Sequence, residues 1–160
     1  MTSREKVIDW LNDAHAMELA LVEVLERHVK DAEGDAEVQS RIDQHVEETR
    51  RQAETVQGCI ESLGGKVSGG KELFGKMFGT MQGMANRPMA DTMVKNALAD
   101  YAAEHFEMAC YRALIEACDQ IGAEDVAVRL TDILREEEAM ARFLEQKLPG
   151  TVSAALAAAN

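Results

Sequence analysis

His45-Val46-Glu47-Glu48-Thr49-Arg50-Arg51-Gln52 lies in the middle of a long helical pattern. Val38, Ile42, Thr49, Ala53, Val56 and Ile60 recur on one face of it, and His45 falls on that face with Glu48 and Gln52 at its border. An amphipathic helix turns such a face to the core. A histidine and a carboxylate pointing inward are either a packing compromise or part of a metal site. The other helices decide which.

Working outward, this second helix is expected from about Glu37 to Leu63, stopped by Gly64-Gly65. The first should start at Thr2 or Ser3, a good N-cap, with Val7, Leu11, Ala14, Leu21 and Leu25 inward and Glu18 among them. His15 stands one turn before Glu18, and His28 near the helix end reads as a hydrogen-bonded core histidine that caps carbonyls. Asp31 to Ala36 is a short polar break containing Gly34, the right length for an antiparallel turn. A third helix is expected from Pro88–Asp91 to Ile121, with Val94, Ala97, Tyr101, Met108, Tyr111, Ile115 and Cys118 inward. Gly122-Ala123-Glu124-Asp125 makes the second turn. The fourth helix should run from Val126 to Leu148, where Pro149-Gly150 ends it before an Ala-rich tail at 151–160.

Residues 64–90 form a glycine-rich connection in which Leu73 to Met84 keep helical spacing, and its methionines read as gap-filling residues. A connection of this length can run along a bundle and join two helices pointing the same way. The fold expected is all-α: residues 1–150 as a ferritin-like four-helix bundle, two antiparallel hairpins joined by a long crossover with a short helix.

Composition agrees with helix and narrows the partners. Only 4% of residues are aromatic and two are proline, while helix formers are plentiful. A net charge of -12 argues against nucleic acid, whose phosphates need basic patches, and would draw cations into an acidic cleft. Cys59, Cys110 and Cys118 have no metal-ligand spacing and read as small buried hydrophobes. With no secretory leader and no membrane-length apolar run, a cytoplasmic location and no membrane partner are expected.

Each long helix carries a Glu on or beside its apolar stripe: Glu18, Glu48, Glu104 or Glu107, and Glu137. Glu18 and Glu48 are equidistant from the first turn, as Glu107 and Glu137 are from Gly122. At about 1.5 Å of rise per residue, such partners stand at one height. An error of a residue or two leaves Glu104 and Glu138 eligible too. Several buried carboxylates cannot all stay ionised without counter-charge, and two divalent cations would supply it. Oxygen donors with a few imidazoles suit Fe, Mn or Zn. The plain alternative is that acidic helices place some Glu near the core by chance.

Four segments also carry a resemblance: Asp13–Leu21 (D-A-H-A-M-E-L-A-L), His45–Thr49 (H-V-E-E-T), Glu104–Glu107 (E-H-F-E) and Arg135–Glu138 (R-E-E-E). They are similar to the signatures of the YciE/YciF-like bacterial ferritin-like proteins, over about residues 5–148. The resemblance implies a rubrerythrin-like bundle, a dimer, a role in bacterial stress and a di-metal site, iron first. Carried over, the ligands are Glu18, His45, Glu48, Glu104, Glu107 and Glu137, with His105 close by. Glu48 with Glu107 or Glu137 would bridge two metal ions, Glu18 and Glu104 would bind at the ends, and His45 would supply nitrogen. Two functions follow: oxidation of Fe(II) or consumption of peroxide or O2, or a non-enzymatic helical stress protein acting by dimerisation or on an unidentified protein partner. The chain departs from the wider superfamily, whose Glu-x-x-His pairs are here Glu47-x-x-Arg50, Glu48-x-x-Arg51 and Glu137-x-x-Met140.

Overall fold

A computed structural model describes residues 1–68 and 92–159, which form four long helices and, among these residues, no strand. They are α1 (Ser3–Asp31), α2 (Ala36–Ser62), α3 (Thr92–Gln120) and α4 (Glu124–Ala158). The short crossover helix expected near Leu73–Met84 lies outside the described residues.

Local chemistry sets the ends. Thr2 and Glu5 close a capping box: Glu5 N–H donates to Thr2 Oγ1 at 3.2 Å, and Thr2 N–H to Glu5 Oε2 at 2.6 Å. Asp35 caps α2 by accepting from Val38 N–H at 3.1 Å. Gly34 and Gly122, at φ 113° and 70°, turn the two hairpins through a region that side chains disfavour.

α1 packs on α2 and α3 on α4, while α1 against α3 and α2 against α4 close the ring. All four contacts are antiparallel. Along α1 and α3, Asp31 meets Asn96 at 2.8 Å, His28 meets Asp100 at 2.7 Å, and Glu18 meets Tyr111. Along α2 and α4 the pairs are Glu37–Lys147, Gln52–Glu137 and Ser62–Arg129. The diagonal helices α2 and α3 therefore run the same way, as a long crossover requires.

The apolar core has two parts. One contains Leu11, Met17, Val56, Ile60, Leu114 and Leu130, the other Leu25, Val38, Ile42, Met140 and Leu144. A polar layer lies between them. The cysteines fit the inert reading: Cys59 and Cys118 are buried, Cys110 is half-buried, and burial pushes the Cys110 and Cys118 thiols up to about 11.

Three sequence expectations change. α4 does not stop at Pro149 but continues to Ala158. Proline removes one donor within the helix, and the alanines after it favour helix strongly enough to carry on. Thr151 and Ser153 hydroxyls bond the Lys147 and Pro149 carbonyls at 3.2 and 2.9 Å. On α3 the buried stripe is rotated: Asn96, Asp100 and Ala103 face inward, while Val94, Ala97 and Tyr101 are only half-buried. α3 carries apolar residues nearly all round, so its polar contacts choose the inward face. Last, His28 caps no carbonyl with Nδ1; that atom meets Asp100 across the helix interface.

Candidate metal centre

Every helix contributes to the polar layer. Glu18 comes from α1, His45, Glu48 and Gln52 from α2, Glu104, Glu107 and Tyr111 from α3, and Glu137 from α4. Glu18, Glu104, Glu107 and Glu137 are each no more than 2% exposed. Four such carboxylates inside one small bundle need compensation from within.

His45 is the hub. Its Nδ1 lies 2.9 Å from Glu48 Oε2, and its Nε2 lies 3.0 Å from Glu104 Oε1 and 3.6 Å from Glu137 Oε2. One potential ligand atom from each of His45, Glu104 and Glu137 falls within 4.8 Å of the others. Glu48 sits on the outer side of the imidazole, where Arg41 reaches it at 3.0 Å and Gln44 at 2.8 Å. The bridging position expected for Glu48 is thus turned toward Arg41, because a residue at the edge of the stripe meets the charged rim first. Tyr111 donates its O–H to Glu18 Oε1, and Gln52 donates to Glu137 Oε1.

Charge is unevenly shared. Burial pushes Glu18 up to about 8, against the pull of the Tyr111 hydrogen bond. Burial also lifts Glu107 and Glu137 well above the usual carboxylate range, with further lift from Glu137 on the first and Glu104 on the second. For His45, burial disfavours the cation, but Glu104, Glu48 and Glu137 outweigh it and hold the imidazole well above its ordinary value. Burial would raise Glu48 too, yet His45 and Arg41 bring it down to about 2. Without metal the layer therefore favours neutral carboxyls at Glu18, Glu107 and Glu137 and a cationic His45.

Among the described residues, no N–H or hydroxyl donor reaches Glu18 Oε2, Glu104 Oε2, Glu137 Oε2 or Gln52 Oε1, all buried, and Glu104 and Glu137 lie within hydrogen-bond reach of each other. Orphaned acceptors at one level of a bundle, all hard oxygens beside an imidazole, match the donor set of a divalent transition-metal ion. The residues fit such a group. Glu48 would then accept from His45 Nδ1–H and fix the ring with Nε2 toward the ion, the usual carboxylate–imidazole support.

Of the residues singled out in the sequence, Glu18, His45, Glu48, Glu104, Glu107 and Glu137 are all buried. His105 is not in the layer; it is exposed and stands edge-on to Tyr101, their ring centroids 4.6 Å apart. Glu104 and His105 are adjacent, and a helix cannot turn both inward. His15 is buried but outside the group around His45, and burial lowers its basicity. Glu138 faces outward to Arg112 at 2.9 Å, which leaves Glu137 as the inward residue. Gln52 was only a border position in the sequence, and Arg41, Asn96 and Asp100 were not singled out there. The i+3 and i+4 spacings among Asn96, Asp100, Glu104, Glu107 and Tyr111 form a polar stripe that could have revealed the last two.

Comparison with known proteins agrees with this architecture. Residues 2–157 match a family model described as a domain of unknown function, DUF892. A crystal structure of a protein from Xanthomonas campestris pv. campestris is 35% identical, with 97% of each chain covered and a TM-score of 0.83. The Escherichia coli stress protein YciF aligns over 96% of this chain and 98% of its own at 22% identity and a TM-score of 0.82. A ferritin-like, diiron-carboxylate protein from Bacillus anthracis gives a TM-score of 0.74 at 15% identity, covering 92% of this chain and 99% of that one. The chain is an all-α ferritin-like bundle of the YciE/YciF-like kind that its motifs resemble, and it belongs to the DUF892 family.

Proposed function

We propose that this chain is a di-metal carboxylate protein, with iron as the first candidate metal, which oxidises Fe(II) or consumes peroxide or O2. The observation that carries the reading is the buried group of His45, Glu104 and Glu137, whose possible ligand atoms lie within 4.8 Å of one another, with the fully buried Glu18 and Glu107 on the neighbouring helices. His45, Glu104 and Glu137 would hold one ion, and Glu18 and Glu107 the second, with Glu104 or Glu137 shared. Mn or Zn would satisfy the same donors. When bound, iron supplies the electrons for the redox step.

The chain's own residues do the rest. Glu48, kept ionised by Arg41, orients His45. Tyr111 holds Glu18 from below the layer, and Gln52 holds Glu137 from the side. Glu18, Glu107 and Glu137 release their protons as cations enter. The apolar residues on both sides keep bulk water from the layer. The proposal extends to a homodimer in the bacterial cytoplasm acting under stress; the fold shared with a protein named for stress supports the last of these alone.

Metal analysis of protein from iron-supplemented cells should find close to two ions per chain. Anaerobic Fe(II) titration followed by O2 should then produce a near-ultraviolet absorbance. Substoichiometric metal and no absorbance change would overturn the reading. They would favour a non-enzymatic helical stress protein acting by dimerisation or on a partner, whose inward carboxylates are satisfied by His45, Arg41, water and each other.

A further inference from the structure

Gln52 is 1% exposed, yet it connects the inside of the bundle to the outside. Its Nε2 donates inward to Glu137 Oε1 and outward to Glu136 Oε2, the latter at 2.9 Å. The Glu136 side chain is 40% exposed and lies in a groove of about 310 Å³ between α2 and α4, bordered by Arg51, Arg129 and Asp132. Gln52 forms part of the groove's wall. A single buried amide therefore separates a surface carboxylate from a carboxylate of the metal centre.

The second amide atom gives the arrangement its chemistry. Gln52 Oε1 is buried and has no hydrogen-bond partner among the described residues. Against the Glu136 carboxylate the amide prefers to present Nε2, because Oε1 in that place would face an acceptor. A cation arriving at Glu136 reverses the preference. A half-turn of the amide about its last, soft torsion then presents Oε1 as a neutral oxygen ligand, between one carboxylate outside and one inside.

The groove's arginines do not make it an anion site. Arg129 is tied to the Ser62 hydroxyl at 3.1 Å and the Asp125 carbonyl at 3.3 Å. Arg51 lies 3.9 Å from Glu136 Oε1, which leaves Oε2 to Gln52.

We propose that Glu136 and Gln52 form the entry port for divalent cations, an outer carboxylate and an amide gate in series with Glu137. The port rests on the metal-centre reading given above. It requires an effect on rate without an effect on equilibrium, since a gate slows loading and release alike.

The test is stopped-flow loading of the metal-free full-length protein with Co(II), followed by its visible absorbance and by metal content at equilibrium. E136Q and Q52L are compared with E138Q, whose carboxylate faces Arg112 elsewhere. E136Q is expected to load at least tenfold more slowly and to release Co(II) to EDTA more slowly by a similar factor, at unchanged final stoichiometry. Q52L should also load and release Co(II) more slowly, and E138Q should match the wild type. Wild-type rates in E136Q, with full loading, would overturn the port and leave the centre standing. Reduced stoichiometry in Q52L at an unchanged rate would make Gln52 a ligand instead of a gate, which also overturns it. Failure of the wild type to take up Co(II) at all would overturn the centre and the port together. Because Glu136 is a surface residue, E136Q keeps the test decisive even where Q52L disturbs folding.

Discussion

Replacing Glu18 with glutamine should make the metal-free protein more stable in alkaline solution and leave it unchanged in acid. Glu18 is fully buried, and its carboxyl is pushed from an ordinary 4.5 up to about 8. Below 4.5 the group is neutral in both the folded and the unfolded chain and contributes no difference. Between 4.5 and 8 the unfolded chain has lost the proton while the folded chain keeps it. Stability therefore falls by about a factor of ten in the folding constant for each pH unit, and the loss levels off above 8. Across that interval the penalty is on the order of 3–5 kcal/mol, a large share of a small domain's stability. Glutamine cannot ionise, and its carbonyl can still accept from Tyr111, so Glu18→Gln removes the penalty and keeps the contact. Urea unfolding in EDTA at pH 4.5, 6 and 8 would measure the gap between the two proteins. It should be near zero at the first pH and several kcal/mol in favour of the variant at the last. Parallel curves would refute the reasoning, since Glu18 would then have no special cost of ionisation.

The same protons predict how metal binds. Because Glu18, Glu107 and Glu137 hold protons that ions must displace, Zn(II) affinity should rise from pH 6 to pH 8, with proton release visible by calorimetry in buffers of different ionisation enthalpy. A pH-independent affinity would contradict that. Asp100→Leu leaves the buried His28 without its hydrogen-bond partner and should cost about 1–3 kcal/mol in denaturant melts, much of it recovered in the double variant with His28→Leu; equal stability of single variant and wild type would dismiss the pair. Pro149→Ala restores a backbone donor inside α4 and should add about 1–3 kcal/mol, read as a higher melting temperature. No shift would mean that the helix beyond Pro149 melts separately from the bundle.

The bundle and most of its centre were legible because both follow from distance along the chain. Glu18, Glu48, Glu107 and Glu137 could be set at one height from their spacing to the two turns, with no knowledge of side-chain packing. What spacing cannot give is which neighbour a side chain meets. Glu48 is at the right height but reaches Arg41, seven residues earlier on the same face of α2, and the spacing alone does not decide between that partner and the centre. α3 was misread for a related reason. Its apolar residues do not single out one face, so Val94, Ala97 and Tyr101 looked as inward as any others. Asp100 is explained only by His28 on another helix, 72 residues away in sequence. Gln52 shows the same limit, since its importance comes from Glu136 and Glu137 on α4.

The polar stripe of α3 has a mechanical consequence. Most helices are held in rotation by grease on one side, but α3 has grease on nearly every side and no rotation that it prefers on that account. Asn96 on Asp31 and Asp100 on His28 act as alignment pins, fixing the helix about its own axis from one end. A single residue's worth of rotation is about 100°, enough to swing Glu104 out of the centre and bring His105 in. Asp100 lies one turn, about 6 Å of rise, from Glu104. The angular setting of the buried carboxylates on α3 is thus held partly by residues outside the group around His45. Grafting the four inward glutamates onto another bundle without His28, Asp31, Asn96 and Asp100 would carry over the ligands and lose their aim.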